Sequence, residues 1–310
     1  MHQVSVIVPC HDATATLPLQ LEALARQEGA PDFEVVLVDN RSRDALTGLA
    51  AQWQARVPGL QVVAATARAG AGYARNVGVA KSSGERLLFC DADDVVARDW
   101  VAAGAAALDE VELACGMDVT LADREFTTVE QVWRTRLDSL PGGRLQRAAG
   151  PTAYPIVLGG NLAIRRETYC AIGGFDASLV RGNEDNDFAV RAQQHGFLIH
   201  RAPAMRIAIR QRADLRSSFR RARLAGRGHI ELCDRHGLRD TSPHLRGQAW
   251  RLDLPRAAAA GALMWRRPGA QRDWHAVAVR LGVGLGLWEG DIRALTRRRS
   301  EPAIGEGLQE

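Results

Sequence analysis

Short apolar runs alternate with amphipathic stretches over the first hundred residues. Four runs rich in Val, Ile and Leu lack polar alternation, which is typical of strands in a sheet covered on both faces: 4–10, 33–40, 60–66 and 87–90. The stretches between them are predicted to be helices: 15–27, 44–56 and 72–84, the last ended by Gly84. Strands that alternate with helices predict an α/β fold with a mostly parallel central sheet flanked by helices.

Beyond residue 100 the pattern predicts two helices, a strand between them and a mobile loop: 100–110, 129–137, 112–120 and 141–155. Apolar periodicity returns over 159–203. Beyond Arg216 the sequence predicts amphipathic helices rich in Arg, Ala and Leu. We therefore predict one domain at 1–210 and a helical C-terminal extension at 211–310.

The composition is that of a folded protein of ordinary size. With 310 residues and 46% hydrophobic content, the chain is long enough for one large domain with a smaller appendage. No apolar stretch approaches the length of a membrane span, and the first ten residues resemble a strand more than a signal peptide. Five scattered cysteines without a CxxC pair suit a reducing compartment. We therefore expect a cytoplasmic protein.

The overall charge of +4 conceals two halves of opposite sign. Residues 1–200 hold 18 Lys and Arg against 25 Asp and Glu, a net charge of −7, whereas residues 201–310 hold 22 against 11, a net charge of +11. A basic half attracts nucleic acid, anionic lipid headgroups or a phosphorylated acceptor through the same long-range field. Composition does not choose among these partners.

Three carboxylates stand where the fourth apolar run ends, in the sequence LLFCDADDVV. Asp91 and Asp93 lie two apart on extended backbone, so both can reach one hard cation above the strand end. Mg²⁺ or Mn²⁺ held by one or two carboxylates keeps coordination sites for diphosphate oxygens and water. The alternative is that Asp93 or Asp94 caps a helix that begins near Val95.

A second acidic group, GNEDNDF at 182–188, precedes a predicted helix. Glu184 or Asp185 could serve as general base for a substrate hydroxyl, whereas the alternative is that these acids only stabilise the helix dipole. Glycine pairs before Asn161 and Phe175 let the backbone approach a ligand closely, although turn formation alone would also explain them.

Seven segments together resemble the family 2 glycosyltransferases with the GT-A fold, over residues 4 to about 203. They occur in the order found in that family: VSVIVPCHD, VVLVDNRSRD, ARNVGVAKSSG, LLFCDADDVV, GGNLAIRR, IGGFDASL and GNEDNDFAVRAQQHG. The resemblance implies an inverting enzyme that moves a sugar from a nucleotide-diphospho-sugar, most often a UDP-sugar, to an acceptor hydroxyl with Mg²⁺ or Mn²⁺.

The resemblance also implies a nucleotide-binding role for five positions. Asp39 matches the acid that hydrogen-bonds the base, Pro9 lies on the loop lining that base, and Arg75 matches the basic residue near the diphosphate. Asp91 would bind the ribose, with metal ligation as a second possibility. Asn161 follows the glycine pair that approaches the donor.

The catalytic roles that the resemblance implies fall on the two acidic groups. Asp93 matches the cation-binding residue of the DxD motif, and Asp94 remains for the helix cap. Asp185 matches the base that deprotonates the acceptor hydroxyl, with Glu184 as alternative base or support. The nucleoside diphosphate is the leaving group.

The sequence departs from the family pattern at three places. The common DDGS reads DNRS here, so a second acid near the base is absent and the base preference is open. The QxxRW motif of processive synthases is missing, which indicates a non-processive enzyme. Ile209 or Arg210 stands where many relatives carry a metal-ligating His, and His200 lies earlier, so the third protein ligand is undetermined.

Two other enzyme classes fit less well. GAGYAR at 70–75 partly resembles the dinucleotide fingerprint of an NAD-dependent Rossmann oxidoreductase, but Arg75 replaces the third glycine. A sugar-nucleotide pyrophosphorylase needs a glycine-rich loop after the first strand, and PCHDATATLP contains no glycine.

A non-enzymatic alternative is a nucleic-acid or anionic-membrane binding module with a degenerate transferase core. The Arg-rich stretch 210–229 contains one aromatic residue, Phe219, which suits phosphate contacts better than base stacking and disfavours nucleic acid. Acids are present in every matching motif, which argues against degeneration. We expect this half to bind anionic lipid at the inner membrane face, or a lipid-linked or phosphorylated acceptor.

Overall fold

The computed structural model describes the chain at 2–140, 142–148, 157–179, 183–211, 214–242, 244–245, 251, 255–256, 258–259, 274–296 and 301–309. Nine described strands form one mixed, mostly parallel sheet in the order β3-β2-β1-β4-β8-β6-β9-β5, with β7 paired to β9. The strands are β1 Val4–Cys10, β2 Phe33–Asp39, β3 Gln61–Ala64, β4 Arg86–Cys90, β5 Val95–Val96, β6 Leu113–Ala122, β7 Gln146–Arg147, β8 Asn161–Arg165 and β9 His200–Gln211. The predicted α/β class is confirmed.

Strands β3, β2, β1 and β4 are parallel, and β8 runs antiparallel to both β4 and β6. The helices are α1 Leu17–Ala25, α2 Leu46–Trp53, α3 Ala71–Lys81, α4 Trp100–Glu110, α5 Val129–Val132, α6 Arg166–Ile172, α7 Glu184–Gln194, α8 Leu215–His236 and α9 Trp274–Thr296. A π-helical turn at Trp133–Leu137 continues α5.

Strand β1 explains why the apolar runs do not alternate. Val6 and Val8 pack into the core on one face of the sheet, whereas Ile7 packs into the core on the other face. Burying each such side chain contributes about 1.5–3 kcal/mol relative to leaving it exposed. A strand between two parallel neighbours, with helices on both faces, therefore has no position for a solvent-facing residue.

Gly84 has a different role from the helix stop that its position predicts. Helix α3 ends at Lys81, and Gly84 lies against β1, where an added Cβ would stand 2.7 Å from the backbone nitrogen of Ser5. The Gly84 N–H donates to the Ser5 hydroxyl at 2.8 Å. The glycine is required by this close approach of the chain to β1.

Two other predictions about local structure are corrected. Val95 and Val96 do not begin a helix but form β5, which pairs antiparallel with Ile207 and Ala208 of β9. The predicted mobile loop at 141–155 contains β7, which pairs with β9, while residues 141 and 149–155 lie outside the described part of the chain.

The C-terminal helices pack against the helix that follows the second acidic group. His236 at the end of α8 bonds Asp187 of α7 with 2.8 Å between Nε2 and Oδ1, and Arg235 pairs with the buried Asp176. Strand β9 ends at Gln211 and α8 begins at Leu215, close to the predicted division at 210. Whether the two parts are separate domains stays a prediction. Within the described residues, no helix is long and apolar enough to cross a membrane.

The segment 301–309 returns to α3 and to the loop before α7. The Ala303 N–H donates to the Asp176 carboxylate at 2.9 Å, and the Asn76 amide donates to the Glu306 carbonyl at 2.8 Å. Asn76 also donates to the Phe175 carbonyl and accepts from the Tyr169 hydroxyl. This buried amide therefore joins α3, α6 and the C-terminal segment.

Candidate functional site

A cavity of about 860 Å³ opens at the edge where the carboxyl ends of β1, β2 and β4 meet. Parallel strands bring their following loops together at such an edge, which is where α/β sheets bind ligands. The loops after these strands line the cavity, together with the start of α3 at Gly70 and Ala71 and with Glu184 of α7. Five predicted site residues line it: Pro9, Arg75, Asp91, Asp93 and Glu184.

Arg75 connects the two acidic groups. Its guanidinium donates to Asp91 Oδ1 at 2.8 Å and to Glu184 Oε1 at 3.4 Å, and its side chain is only 4% exposed. Burial by itself would lower the pKa of Arg75, but the carboxylates of Asp91, Glu184 and Asp185 raise it. The guanidinium is therefore a fixed cation between two carboxylates that lie 93 positions apart in sequence.

Gly159 and Gly160 approach site residues directly. A Cβ at Gly159 would stand 2.9 Å from the Arg75 guanidinium, and a Cβ at Gly160 would overlap the Asp91 carboxylate. The glycine pair thus admits the Arg75–Asp91 ion pair, which is a more specific reason than the ligand approach that the sequence predicts.

Replacing Gly160 by Ala is expected to displace the Asp91 carboxylate and to weaken cation-dependent nucleotide binding about tenfold, because a lost charged contact is worth about 1.5–3 kcal/mol. Calorimetric titration with UDP and Mn²⁺ measures this. Gly142→Ala is the matched control, since nothing lies within 4 Å of a Cβ added there. Equal affinity in both variants would contradict the role assigned to Gly160.

Asp94 is not the predicted helix cap, because α4 begins six residues later at Trp100. Its carboxylate is buried and accepts from the Arg210 N–H at 3.2 Å. Burial, together with repulsion from Asp91 and Asp93, raises the pKa of Asp94 to about 9. Repulsion among these three acids falls when one of them is protonated or a cation binds beside them.

The carboxylates at the cavity suit a divalent cation whose coordination shell is completed by the substrate. No group of three or more His, Cys, Asp or Glu within the described residues is arranged to hold a metal ion. Asp91 and Asp93 offer hard carboxylate oxygens on the cavity wall, which matches Mg²⁺ or Mn²⁺ bound by one or two carboxylates and by phosphate oxygens. The residues therefore fit such a cation when a diphosphate is present.

Arg210, at the position expected for a third protein ligand, lies beside Asp93. Its Nε donates to the Asp93 carbonyl at 3.1 Å, and its guanidinium pairs with Asp123 and lies 4.1 Å from the centre of the Phe126 ring. A guanidinium donates hydrogen bonds and does not ligate metals. Ile209 has no ligating atom in its side chain, and His200 lies at the start of β9, nine residues before Ile209.

Glu184 and Asp185 form the first turn of α7 beside Arg75. Burial and repulsion from Asp185 raise the pKa of Glu184 to about 7, although Arg75 opposes the shift. Burial also raises the pKa of Asp185, against hydrogen bonds from the Asn186 and Gly159 backbones and the Arg75 charge. Glu184 can therefore exchange a proton near neutral pH, and burial disfavours the charged form of Asp185.

Unpartnered buried atoms concentrate at this end of the cavity. Within the described residues, Glu184 Oε2, Arg75 Nε and Asn186 Oδ1 are buried without a hydrogen-bond partner. Such groups cost about 1–3 kcal/mol each when they stay unsatisfied. Their grouping indicates a place where a polar ligand binds. Asp185 is not among the described residues that line the cavity, although its neighbour Glu184 is.

Asp39 and Asn40 end β2 with different partners. The Asp39 carboxylate accepts from the Ser42 N–H at 2.9 Å, and Asp39 is half-buried beside the cavity wall that Asn40 lines. The Asn40 amide donates to the Ala65 and Arg68 carbonyls at 2.6 and 2.8 Å. The amide that replaces the family's second acid therefore fixes the loop leading into α3.

Asn161 does not contact the cavity. Its side chain is fully buried, where it accepts from the Trp100 indole at 2.9 Å and donates to the carbonyls of Met117 and Met205 at 3.0 and 3.3 Å. The predicted ligand contact is replaced by a structural role, in which Asn161 joins α4 to β6 and β9.

Five polar cavity residues were not predicted from the sequence. They lie in the loops after β1 and β2: His11, Asp12, Thr16, Arg41 and Arg43. Their position in the sequence could have identified them, because they follow two strands whose carboxyl ends meet at this edge. Arg41 also has a φ of 66°, a left-handed conformation at the position of the glycine in DDGS.

Comparison with known proteins agrees with this geometry. The profile of glycosyl transferase family 2 matches residues 5–172, and a profile described as the N-terminal domain of galactosyltransferase matches residues 145–214. The chain is 26% identical over 196 residues to glycosyltransferase AglE of Haloferax volcanii, covering 63% of this chain and 62% of AglE. It is 27% identical over 205 residues to amylovoran biosynthesis glycosyltransferase AmsB of Erwinia amylovora, covering 62% and 64%. The chain thus spans less than two thirds of either relative.

Solved structures share the fold over nearly the whole chain. A mannosyltransferase from Pyrobaculum calidifontis, solved with GDP-Man and Mn²⁺, superposes with a TM-score of 0.63 at 22% identity and covers 95% of this chain and 87% of its own. Staphylococcus aureus TarS 1–349, solved with UDP, gives a TM-score of 0.53 at 17% identity and covers 96% and 94%. These likenesses identify the GT-A fold.

Proposed function

We propose, from the premise that the chain belongs to glycosyl transferase family 2, that it moves a sugar from a nucleotide-diphospho-sugar to an acceptor hydroxyl with inversion at the anomeric carbon. The family match spans more than half of the chain, and the chain is a glycosyltransferase. The observation that carries the finer proposal is the buried Arg75, which places the acids of β4 and α7 around one cavity.

The donor is proposed to lie along the carboxyl ends of β1, β2 and β4. Asp39 and Pro9 would hold the base, and Asp91 the ribose. The start of α3 at Gly70 and Ala71 lines the cavity, where backbone N–H groups and the helix dipole favour a diphosphate. Arg75 supplies a full positive charge at the same end of α3.

A UDP-sugar is the donor that we propose first. TarS has been solved with UDP and with UDP-GlcNAc, whereas the Pyrobaculum calidifontis enzyme has been solved with GDP-Man, so a GDP-sugar is the second candidate. Asn40 leaves only Asp39 as an acid at the end of β2, and the Asn40 amide is already bonded to the backbone. The acceptor is proposed to be lipid-linked or phosphorylated because the C-terminal half is basic.

The transfer step follows from the positions of the two acidic groups. Asp185 accepts the proton of the acceptor hydroxyl as that oxygen attacks the anomeric carbon, and the bond to the nucleoside diphosphate breaks on the opposite face. Glu184 holds Arg75 and buffers the charge beside Asp185. Asp93, with Asp91 as second ligand, would hold Mg²⁺ or Mn²⁺, which when bound neutralises charge on the leaving diphosphate. Arg75 stabilises the same charge from within the protein.

A thermal-shift panel of UDP, GDP, CDP, ADP, dTDP and NAD, each with Mn²⁺ or EDTA, tests this function. A nucleotide that binds only the native state raises the melting temperature. At a hundredfold excess over Kd it adds about 2.7 kcal/mol to the free energy of unfolding. We expect a shift with one diphosphate that EDTA removes. A shift with NAD and none with any nucleoside diphosphate would instead favour the oxidoreductase alternative.

Turnover is expected to depend on the protonation of the Glu184–Asp185 pair. A base whose pKa is raised is inactive below that pKa. Burial raises the pKa of Asp185 and raises that of Glu184 to about 7, so kcat/KM should rise with pH and level off once the pair is ionised. Below the pKa of the base the rate should fall about tenfold per pH unit. A profile of kcat/KM from pH 5 to 9 measures this. A flat profile down to about pH 5 would mean that neither acid is the base.

A further inference from the structure

Helices α8 and α9 form a closely packed pair at the C-terminal end of the fold. They run side by side in the same direction, because Gly282 lies against Phe219 and Gly290 lies against Ile230. One face of α9 carries a glycine at every fourth residue, at Gly282, Gly286 and Gly290. This face packs directly against α8. The opposite face of α9 is therefore free of α8.

That opposite face of α9 exposes large apolar side chains. Trp288 is 37% exposed, Ile292 is 55% exposed and Leu295 is 84% exposed. Their spacing of four and three residues aligns them along one face, which lies about 140–200° around the helix from Gly290 at 100° per residue. Three of the six large hydrophobics that the described residues expose thus lie within about two turns of α9.

The acids on α9 are neutralised by arginines of other segments. Glu289 pairs with Arg223 of α8, with 2.8 Å between Oε2 and Nε, and Asp291 pairs with Arg239 at 2.7 Å and Arg251 at 3.2 Å. These contacts help to hold the pKa of each acid below its ordinary value, so both remain charged and paired. The apolar face of α9 is left without an unpaired acid among the described residues.

Arginines lie along one side of the helix pair, with Arg293 beside the apolar face and the others toward the start of α8. Arg223 lies on this side because it pairs with Glu289 of α9. On α9, Glu289 is followed by Ile292 three residues later and by Arg293 four residues later, so all three are neighbours on the helix surface. Arg216 and Arg220 lie seven and three residues before Arg223 on the same face of α8, toward the start of the helix pair. Because Gly282 lies against Phe219 and Gly290 against Ile230, these two arginines are level with the first half of α9, about 10–25 Å along the pair from Trp288, Ile292 and Leu295. Both are exposed, and neither forms an ion pair with any described residue. The sequence continues after α9 with Arg297, Arg298 and Arg299.

We propose that this side of the helix pair docks on the anionic surface of a lipid bilayer, with Trp288, Ile292, Leu295 and Arg293 toward the end of the pair and Arg216 and Arg220 toward its start. Arginines attract anionic headgroups at about 1 kcal/mol each, while Trp, Ile and Leu enter the boundary between headgroups and acyl chains. A second copy of the chain would place the same arginines against one another, which is unfavourable in a symmetric interface. Nucleic acid neutralises arginines but gains nothing from exposed Ile and Leu.

Docking would also orient the candidate site. The end of α8 is bonded to α7 through His236 and Asp187, and to the loop before α7 through Arg235 and Asp176. The bilayer surface is thereby connected by rigid helices to the turn that carries Asp185. Only this orientation depends on the proposed transfer; the docking surface stands without it.

Flotation with phosphatidylcholine vesicles, with and without phosphatidylglycerol, tests the docking surface at low and high salt. We expect the full-length protein to float only with the anionic vesicles and to be released by high salt. Ile292→Glu with Leu295→Glu should lower the partition coefficient at least about tenfold, because two exposed apolar side chains no longer enter the interface. Leu198→Glu, at a residue 45% exposed before β9, is the control and should float like the parent.

A second pair of variants tests the charge. Arg216→Glu with Arg220→Glu should abolish flotation at low salt, whereas Arg134→Glu, on the 74% exposed side chain of the π-helical turn, should not. The proposal is overturned if the parent protein stays in solution with both vesicles, or if Leu198→Glu lowers flotation as much as the α9 variant. A dimer by sedimentation that the α9 variant dissociates, without any flotation, would identify a second copy as the occupant. Nucleotide thermal shifts on the same samples report separately on the transfer function.

Discussion

Replacement of Asp185 by Asn is expected to leave donor binding unchanged and to lower kcat by about 10²–10⁴-fold, the usual contribution of a positioned general base. The carboxamide keeps the shape of the side chain at the start of α7, but it does not accept the proton of the acceptor hydroxyl. Its neighbour Glu184, and not Asp185, bonds Arg75, so the Arg75–Asp91 pair should stay intact. Calorimetry with UDP and Mn²⁺, together with initial rates of transfer, measures both effects.

Two companion variants make this result specific. Glu110→Gln, at an exposed acid at the end of α4, is the control and should keep parental kcat. Glu184→Gln removes one of the two negative charges beside Arg75 and should weaken nucleotide binding as well as turnover. If Asp185→Asn turns over normally and Glu184→Gln does not, the base role passes to Glu184.

Replacement of Asp93 by Ala is expected to abolish cation-dependent nucleotide binding, and transfer with it, while the melting temperature without ligand changes little. Asp93 lines the cavity and stays half-buried, so its carboxylate is accessible to a ligand. Losing one charged ligand removes at least about 1.5–3 kcal/mol of binding. Thermal shift with UDP and Mn²⁺ should fall to the value seen with EDTA.

The control for Asp93 is an acid outside the cavity. Asp118→Ala on β6 changes an exposed carboxylate and should leave the nucleotide-dependent shift at the parental size. If the Asp93→Ala protein still shows a full Mn²⁺-dependent thermal shift, the cation is bound by another group. In that case Asp91, which is already bonded to Arg75, would be the remaining candidate.

The sheet could be predicted because its strands are buried on both faces. Val6, Ile7 and Val8 alternate between the two halves of the core, and that arrangement leaves an unbroken apolar run in the sequence. The short β5 could not be predicted in the same way. Val95 and Val96 become a strand only through pairing with residues 207 and 208, a contact that local sequence does not record.

The location of the site at the strand ends could be predicted from the sequence, whereas the roles of its individual residues could be predicted only in part. Asp91, Asp93 and Arg75 meet at one cavity because they follow β4 or begin α3 at the same edge. Asp94 was assigned to a cap because three acids in sequence resemble a helix start, whereas its bond to the Arg210 backbone requires β9. The Asn161 amide likewise donates its hydrogen bonds to carbonyls of β6 and β9, which are distant in sequence.

The partial dinucleotide fingerprint at 70–75 is explained by the same geometry. Gly70 has a φ of 130° and its N–H donates to the Asn40 side chain at 2.8 Å, so this glycine shapes the entry to α3. Arg75, at the position of the third glycine, does not bring helix and strand together but bonds two carboxylates. The chemistry at that position is electrostatic, unlike the close packing that a dinucleotide fold needs.

A crystal structure with Mn²⁺ and the nucleoside diphosphate selected by thermal shift tests the central claim most directly. The claim is that one cavity joins a cation-bound diphosphate at Asp91 and Asp93 to the acids at the start of α7 through Arg75. The anomalous signal of manganese should lie within coordination distance of the Asp93 carboxylate, with the diphosphate against Arg75 and the start of α3. Manganese and nucleotide bound away from Asp93, with Arg75 facing neither, would contradict the account.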